Sequence, residues 1–248
     1  DGETFQPSTT FFGFRYCEIT TSSDVEISQL TGEFVGSDLE EHATFETSHP
    51  DVNQLYSNIR WSQRDNFLSV PTDCPQRDER LGWTGDIQVF ARAATYHADT
   101  RAFLRKWLGD LRQSQREDGA YPDIAPFPNF WGFGTGGWGD AGVIVPWTVY
   151  LMTGDQAVLE ECYASMTHYM DWLSLQGDGQ YKYNGAGTST GDWLSYENTD
   201  SRYVCVCHYA NVAQLMSKIA GALSESPTDT YFADSLKYAE LYDNIRAE

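Results

Sequence analysis

Residues 99–141 read DTRAFLRKWLGDLRQSQREDGAYPDIAPFPNFWGFGTGGWGDA. The opening is helical. Phe103, Leu104, Trp107, Leu108 and Leu111 recur at the spacing that lays one apolar stripe along a 3.6-residue period, and Asp99 stands where an N-cap belongs. At Asp118 the character changes: Pro and Gly punctuate a run of Tyr, Phe and Trp that suits neither a helix nor a strand. An amphipathic helix that delivers the chain into a long aromatic loop is the unit from which the fold is read.

The same unit recurs outward. Ser48, followed by Pro50 and Asp51, predicts a helix start, with Val52, Leu55, Tyr56 and Ile59 on one face. Asp86 opens a second helix through Ile87, Phe90, Ala94 and His97. Beyond the aromatic loop, residues 142–152 are apolar, with Pro146 predicting a kink or a late start. Asp155 caps a helix carrying Val158, Leu159, Cys162, Met166, Tyr169, Met170 and Leu173. A polar loop covers 176–192, a further helix runs near 205–223, and a last one begins near 228, after Ser226-Pro227. These spacings predict about seven helices after Ser48 and no strand among them.

Long loops at every second connection put them on one end of paired antiparallel helices. The predicted fold class is therefore mainly α, an (α/α)6 toroid of about seven helices. A solenoid of helix pairs is the other arrangement, but no repeat of fixed period is present. Upstream, TTFFGFRYCEIT (9–20) and DVEISQLTGEFV (24–35) carry β-type composition and alternation. Residues 1–44 are thus expected to be the C-terminal strands of a β-sandwich domain and a linker. Residues 45–248 are expected to be the N-terminal half of the helical barrel.

A formal charge of −20 at pH 7 and a pI near 4.4 exclude a nucleic-acid face and an anionic lipid surface as partners. Neutral ligands are left open, and sugars are the obvious polar class. Hydrophobic content of 41 % and a mean hydropathy of −0.48 suit a globular core. No stretch has the length and apolarity of a membrane helix. Cys17, Cys74, Cys162, Cys205 and Cys207 are odd in number and contain no CxxC pair, and most read as buried thiols. The chain opens with neither Met nor a secretory leader, so it reads as a mature form or a piece of something longer; the compartment stays open.

The densest chemistry lies in TDCPQRDERLGWTGD, residues 72–86. Pro71 and Pro75 disfavour helix there, and Gly82 and Gly85 relax the backbone, so this is a structured loop feeding a helix. Glu79 sits among Arg77, Asp78 and Arg80. Burial and like charge raise a carboxyl's pKa while arginine lowers it, and a carboxylic acid poised to release a proton is what glycosidic cleavage requires. The competing reading is an Asp–Arg network that only braces the loop.

This segment closely resembles the signature of the α-L-rhamnosidases of glycoside hydrolase family 78. Residues 58–97 around it are similar to that family's first barrel helices. DGAYPDIAP (118–126), GGWGDAGVIVPW (136–147) and TGDWL (190–194) are similar to later blocks, and FFGFRYCEI (11–19) resembles the end of its preceding β-sandwich. The resemblance implies inverting hydrolysis of terminal, non-reducing α-L-rhamnose from glycosides or polysaccharides. It implies Glu79 as the general acid, Asp73, Arg77 and Asp86 as ligands of sugar hydroxyls, and Trp83, Trp138 and Trp193 as pocket walls. It implies no metal and no organic cofactor, and no His pair here has metal-ligand spacing. The indoles at 61, 107, 147 and 172 fall on helical faces and are assigned to packing.

An inverting enzyme also needs a basic carboxylate, which the family carries far downstream. Nothing here matches that segment, so the chain is expected to lack the C-terminal half of the barrel and to be inactive alone; were the base within the chain, Glu197 is the first candidate. Two other functions fit the residues: a different helical-toroid glycosidase, and a non-catalytic carbohydrate-binding scaffold.

Overall fold

The computed structural model describes residues 3–8, 10–176 and 192–247. They form two compact units, Asp1–Asp38 with Phe45–Leu81, and Leu39–Thr44 with Gly82–Glu248.

The first unit holds α1 (Pro50–Asn66) and a minimal hairpin of β1 (Phe67–Leu68) and β2 (Val70–Pro71). Its pairing sets Phe67 opposite Pro71 and Leu68 opposite Val70. Ser69 at the tip adopts φ +66°. Pro50 at the first helical position, Asp51 in the first turn and Arg64 in the last all suit the helix dipole. The N-cap is His49 rather than the expected Ser48. The brace is Thr47, whose N–H donates to Asn53 Oδ1 at 2.8 Å while Asn53 Nδ2 donates back to the Thr47 carbonyl at 2.8 Å. The predicted apolar face of α1 is largely uncovered: Val52 and Leu55 are exposed, and Gln63 is its buried residue.

The strands expected in residues 1–37 do not form among the described residues; the segment is without regular structure there and mostly exposed. Alternation supplies one face of a strand, but a strand exists only where another edge accepts its hydrogen bonds. Within this unit that pairing amounts to single contacts such as Ser37 N–H to the Phe67 carbonyl, 2.8 Å.

The second unit is built from α2 (Thr84–His97), α3 (Arg101–Gln113), α4 (Ala141–Thr153), α5 (Ala157–Ser174), α6 (Ser201–Leu223) and α7 (Thr230–Ala247). With α1 this makes seven helices among the described residues, as the periodicity predicts. The hub is α4, which packs against α2, α3, α5 and α6. Its sequence AGVIVPWTVYLMT has no charge on any face, as a helix enclosed by others requires. Helix continues through Pro146, which sits early enough that little of the ladder precedes it. The stripe of α3 is buried as expected, with Leu104 and Trp107 fully enclosed.

Short connections make the hairpins. Gly154 ends α4 at φ +71°, the left-handed stop that glycine adopts without strain. Asp229 organises the turn between α6 and α7 by accepting from the N–H groups of Glu225, Ser226 and Phe232. Three further helices begin near, not at, the predicted caps: α5 has Gln156 at its N-cap, with Asp155 just before it accepting from Ala157 N–H. Asp86 is in the first turn of a helix that already starts at Thr84, and Asp99 accepts from Arg101 N–H from just before the N-cap Thr100. Among the described residues no helix is long and apolar enough to cross a membrane.

Candidate active site

In the first unit the signature loop is closed at both ends. Thr72 donates through N–H and Oγ1 to the carbonyl of Asn66, each at 2.9 Å, tying the loop to the end of α1. Asp73 N–H donates to the Leu81 carbonyl at 3.0 Å. Between these ties Asp73, Cys74 and Glu79 gather, with one donor atom from each lying within 4.8 Å of the others. Asp73 Oδ1 is buried without a hydrogen-bond partner. Arg77, largely exposed, pairs with the Glu79 carboxylate, whose side chain is 27 % exposed.

Burial, then the hydrogen bond and charge of Asp73, push the Cys74 thiol up to about 11, against the opposing pull of Arg77. The trio is thus two carboxyl groups beside a neutral thiol. Asp73, Arg77 and Glu79 lie together on this loop, and Cys74 is a neighbour that sequence reasoning passed over.

In the second unit the other expected residues fall at the start of α2 (Trp83 and Asp86), in the aromatic loop (Trp138) and ahead of α6 (Trp193). Residues 82–84 lie against 123–125. Thr84 donates through N–H and Oγ1 to the Asp123 carbonyl, both at 3.0 Å, and Ala125 N–H donates to the Gly82 carbonyl at 2.9 Å. A β-carbon at Gly82 would stand 2.2 Å from the Ala125 oxygen, so only glycine permits this approach. Trp83 is half-buried and meets Trp131 edge to face, centroids 5.2 Å apart. Asp86 is exposed in the first turn of α2, where the helix dipole favours a carboxylate.

The GTGGWGD run at 134–140 is fixed by two buried acids. Asp123 accepts from Thr135 N–H at 3.0 Å and from its hydroxyl at 2.7 Å. Burial pushes the Asp123 pKa up, with the nearby Asp140 charge adding to it and the Thr135 hydrogen bonds opposing. Asp140 accepts from Gly137 N–H at 2.6 Å and the Tyr169 hydroxyl at 3.0 Å, and its Oδ2 lies 3.5 Å from His208 Nδ1. Gln88 on α2 donates to the Gly137 carbonyl.

Held this way, Trp138 lies over Gly85 and meets Trp193 edge to face, centroids 6.5 Å apart and rings at 84°. Trp193 is 62 % exposed, so the pair presents indole to solvent. The two residues are distant in sequence. Residues 190–191 of the TGDWL block lie outside the described residues. The loop-fixing residues Gln88, Tyr169 and His208 were not foreseen; their signal lies only in the contacts. Of the indoles assigned to packing, Trp107 and Trp172 are buried, whereas Trp61 is half exposed and lies edge to face with Phe34 at 5.6 Å.

The helices of the second unit, joined in part by short turns and in part by long loops, define the chain's class: a helical-hairpin domain. More narrowly, residues 40–248 match the family described as bacterial α-L-rhamnosidase six-hairpin glycosidase domain, and the chain belongs to that family. It is similar to an α-L-rhamnosidase of Streptomyces avermitilis, 41 % identical over 246 residues, covering 98 % of this chain and 23 % of that protein. Another, from Alteromonas sp. (strain LOR), is 40 % identical over 194 residues, covering 77 % of this chain and 21 % of the relative.

The crystal structure of the S. avermitilis enzyme complexed with L-rhamnose superposes with a TM-score of 0.78, covering 86 % of this chain and 20 % of that one. The α-L-rhamnosidase of Dictyoglumus thermophilum, 32 % identical, gives 0.77 over 86 % of this chain and 24 % of that one. The chain thus spans about a quarter of the length of the relatives it matches. These likenesses favour the toroid of hairpins over the solenoid.

Proposed function

We propose that this chain carries the proton donor and a sugar-binding wall of an inverting α-L-rhamnosidase acting on terminal α-L-rhamnose of glycosides or polysaccharides. The observation that carries the reading is the Glu79 carboxylate, partly exposed and grouped with Asp73 and Arg77 on a loop tied at both ends. In this role Glu79 protonates the glycosidic oxygen as the bond to the anomeric carbon breaks. Asp73, Arg77 and Asp86 accept from and donate to sugar hydroxyls. Negative charge beside the ring also stabilises the oxocarbenium character that develops there.

Trp83, Trp138 and Trp193 serve as walls. A 6-deoxy sugar presents a methyl group and apolar C–H faces, which favour indole over polar side chains. Inversion requires a second carboxylate on the opposite face, roughly 6.5–9.5 Å from the acid. None of the residues assigned here is that base, so the chain on its own is proposed to bind the sugar with little turnover.

Calorimetric titration with L-rhamnose tests the binding half. The expected result is saturable binding that is lost in Trp138→Ala. Tighter binding of a different monosaccharide would replace this reading with another glycosidase of the same fold. Absence of binding to any sugar would remove it. The catalytic half is tested in the full-length protein with methyl α-L-rhamnopyranoside, whose alkoxide leaving group needs the proton and where Glu79→Gln is expected to abolish turnover.

A further inference from the structure

Arg80 adopts φ +52°, a left-handed conformation uncommon for a residue with a side chain. Such strain persists where surrounding contacts over-determine it. Here they are contacts of its own guanidinium. Nε donates to the Arg77 carbonyl at 3.1 Å, closing the 77–80 turn on itself. A terminal nitrogen donates to the Phe11 carbonyl at 3.0 Å. The guanidinium carbon also lies 4.2 Å from the centroid of the Phe11 ring. Two carbonyls and a ring face use the planar fork in a way an ammonium cannot reproduce.

Glu79 is the residue inside that clamp, one position before the strained Arg80 and two after the carbonyl it holds. The segment that receives the pull is itself pressed onto the turn. A β-carbon on Gly13 would stand 2.6 Å from Gln76 Cα, so residues 11–13 lie directly against the loop. These bonds run to backbone carbonyls, which suits a strut for the loop rather than a charge offered to a ligand.

We infer that Arg80 is a positioning residue that sets the Glu79 carboxyl, using residues 11–13 as its buttress; the inference rests on Glu79 being the acid proposed above. Arg77 contacts the carboxylate itself, whereas Arg80 acts on the backbone that carries it. A displaced general acid has a specific kinetic signature. An alkoxide leaving group needs the proton, whereas p-nitrophenolate departs with little assistance.

The test compares kcat/KM for methyl α-L-rhamnopyranoside and p-nitrophenyl α-L-rhamnopyranoside in the full-length protein, for the wild type, Arg80→Lys, Arg80→Gly and Gly13→Ala. Arg80→Lys is expected to lower the methyl glycoside rate by about tenfold or more, a small part of the range general acids contribute, and the nitrophenyl rate several-fold less. The affinity for L-rhamnose should stay within twofold of wild type. Arg80→Gly relieves the φ strain yet removes the clamp, so it should show the same selective loss without a lower melting temperature. Gly13→Ala should reproduce the pattern from the far side of the contact.

Parallel loss on both substrates, or none, in Arg80→Lys would reduce Arg80 to a stabilising residue. Full methyl glycoside activity in Arg80→Gly would do the same, and an unchanged ratio in Gly13→Ala would remove the buttress. If Arg80→Gly does not fold, Arg80→Lys carries the test. A wild type that hydrolyses neither rhamnoside sinks the rhamnosidase reading and this one with it, whereas a wild type active on both isolates the test to Arg80.

Discussion

Trp138 covers Gly85 so closely that a β-carbon at Gly85 would stand 2.8 Å from the indole Nε1. The first turn of α2 is therefore the floor on which the indole rests. Gly85→Ala adds one methyl group to that floor, and its effects on stability and binding have opposite signs. Alanine is favoured over glycine in a helix by up to about 1 kcal/mol, so the melting temperature should hold or rise slightly. The indole must shift to make room, and L-rhamnose affinity is expected to fall about tenfold, or about 1.4 kcal/mol. Calorimetry beside a thermal melt separates the two. Unchanged affinity would take Trp138 out of the sugar wall.

Cys74 offers a pH-resolved measure of the signature loop. With its thiol near 11, the thiolate is scarce at pH 8, and alkylation there should run roughly 100-fold slower than for an ordinary cysteine. Cys17 and Cys207 are exposed and should be labelled first. Peptide mass spectrometry after timed iodoacetamide treatment at several pH values gives the profile. Asp73→Asn removes the carboxylate whose hydrogen bond and charge raise the value, so it should speed labelling of Cys74 and leave Cys17 alone.

Most of the helical framework was legible because burial on one face imposes a period on sequence. The α3 stripe and the uncharged α4 show this directly. The N-terminal segment did not follow, since its alternation specifies a strand only together with an edge to pair with. The apolar face of α1 fails similarly: periodicity marks the stripe but not its cover. Asp73, Arg77 and Glu79 were readable as neighbours because one short loop holds them, and Trp138 and Trp193 as candidates because the family blocks carry both. Tyr169, His208 and Gln88 act through contacts between elements far apart in sequence, and no local pattern announces that.

The buried Asp123 makes a prediction about stability and pH. Its native pKa is raised, burial being the largest cause, so the folded state holds the proton more tightly than the unfolded one. By linkage, this group's favourable contribution is complete below the ordinary value of 3.8 and is lost as pH rises through the higher native value. Asp123→Asn stays neutral and still accepts from Thr135 N–H, while the Thr135 hydroxyl can turn to accept from the new amide. Its melting temperature should therefore fall less with rising pH than that of the wild type. Asp123→Ala strands the buried Thr135 N–H and should cost about 1–3 kcal/mol throughout. A melt series from pH 3 upward reads both, and parallel wild-type and Asn curves would contradict the assignment.

Asp140 ties the indole loop to α5, and that coupling can be measured. Its carboxylate is 1 % exposed and joins Gly137 N–H to the Tyr169 hydroxyl. Asp140→Ala removes the buried acceptor of both bonds, so a loss of about 2–5 kcal/mol is expected. Tyr169→Phe alone removes one donor and keeps the ring that stacks on Trp172 at 5.7 Å; it should cost about 1–2 kcal/mol. The double variant should lose less than the sum by about 1 kcal/mol, since the bond between hydroxyl and carboxylate is counted in both single losses. L-Rhamnose affinity should follow the two substitutions differently. Asp140→Ala frees Gly137 beside Trp138 and weakens binding, whereas Tyr169→Phe leaves the Gly137 bond intact and binding close to wild type. Additive stabilities, or equal losses of affinity, would mean that Asp140 holds the loop and α5 independently rather than through one shared carboxylate.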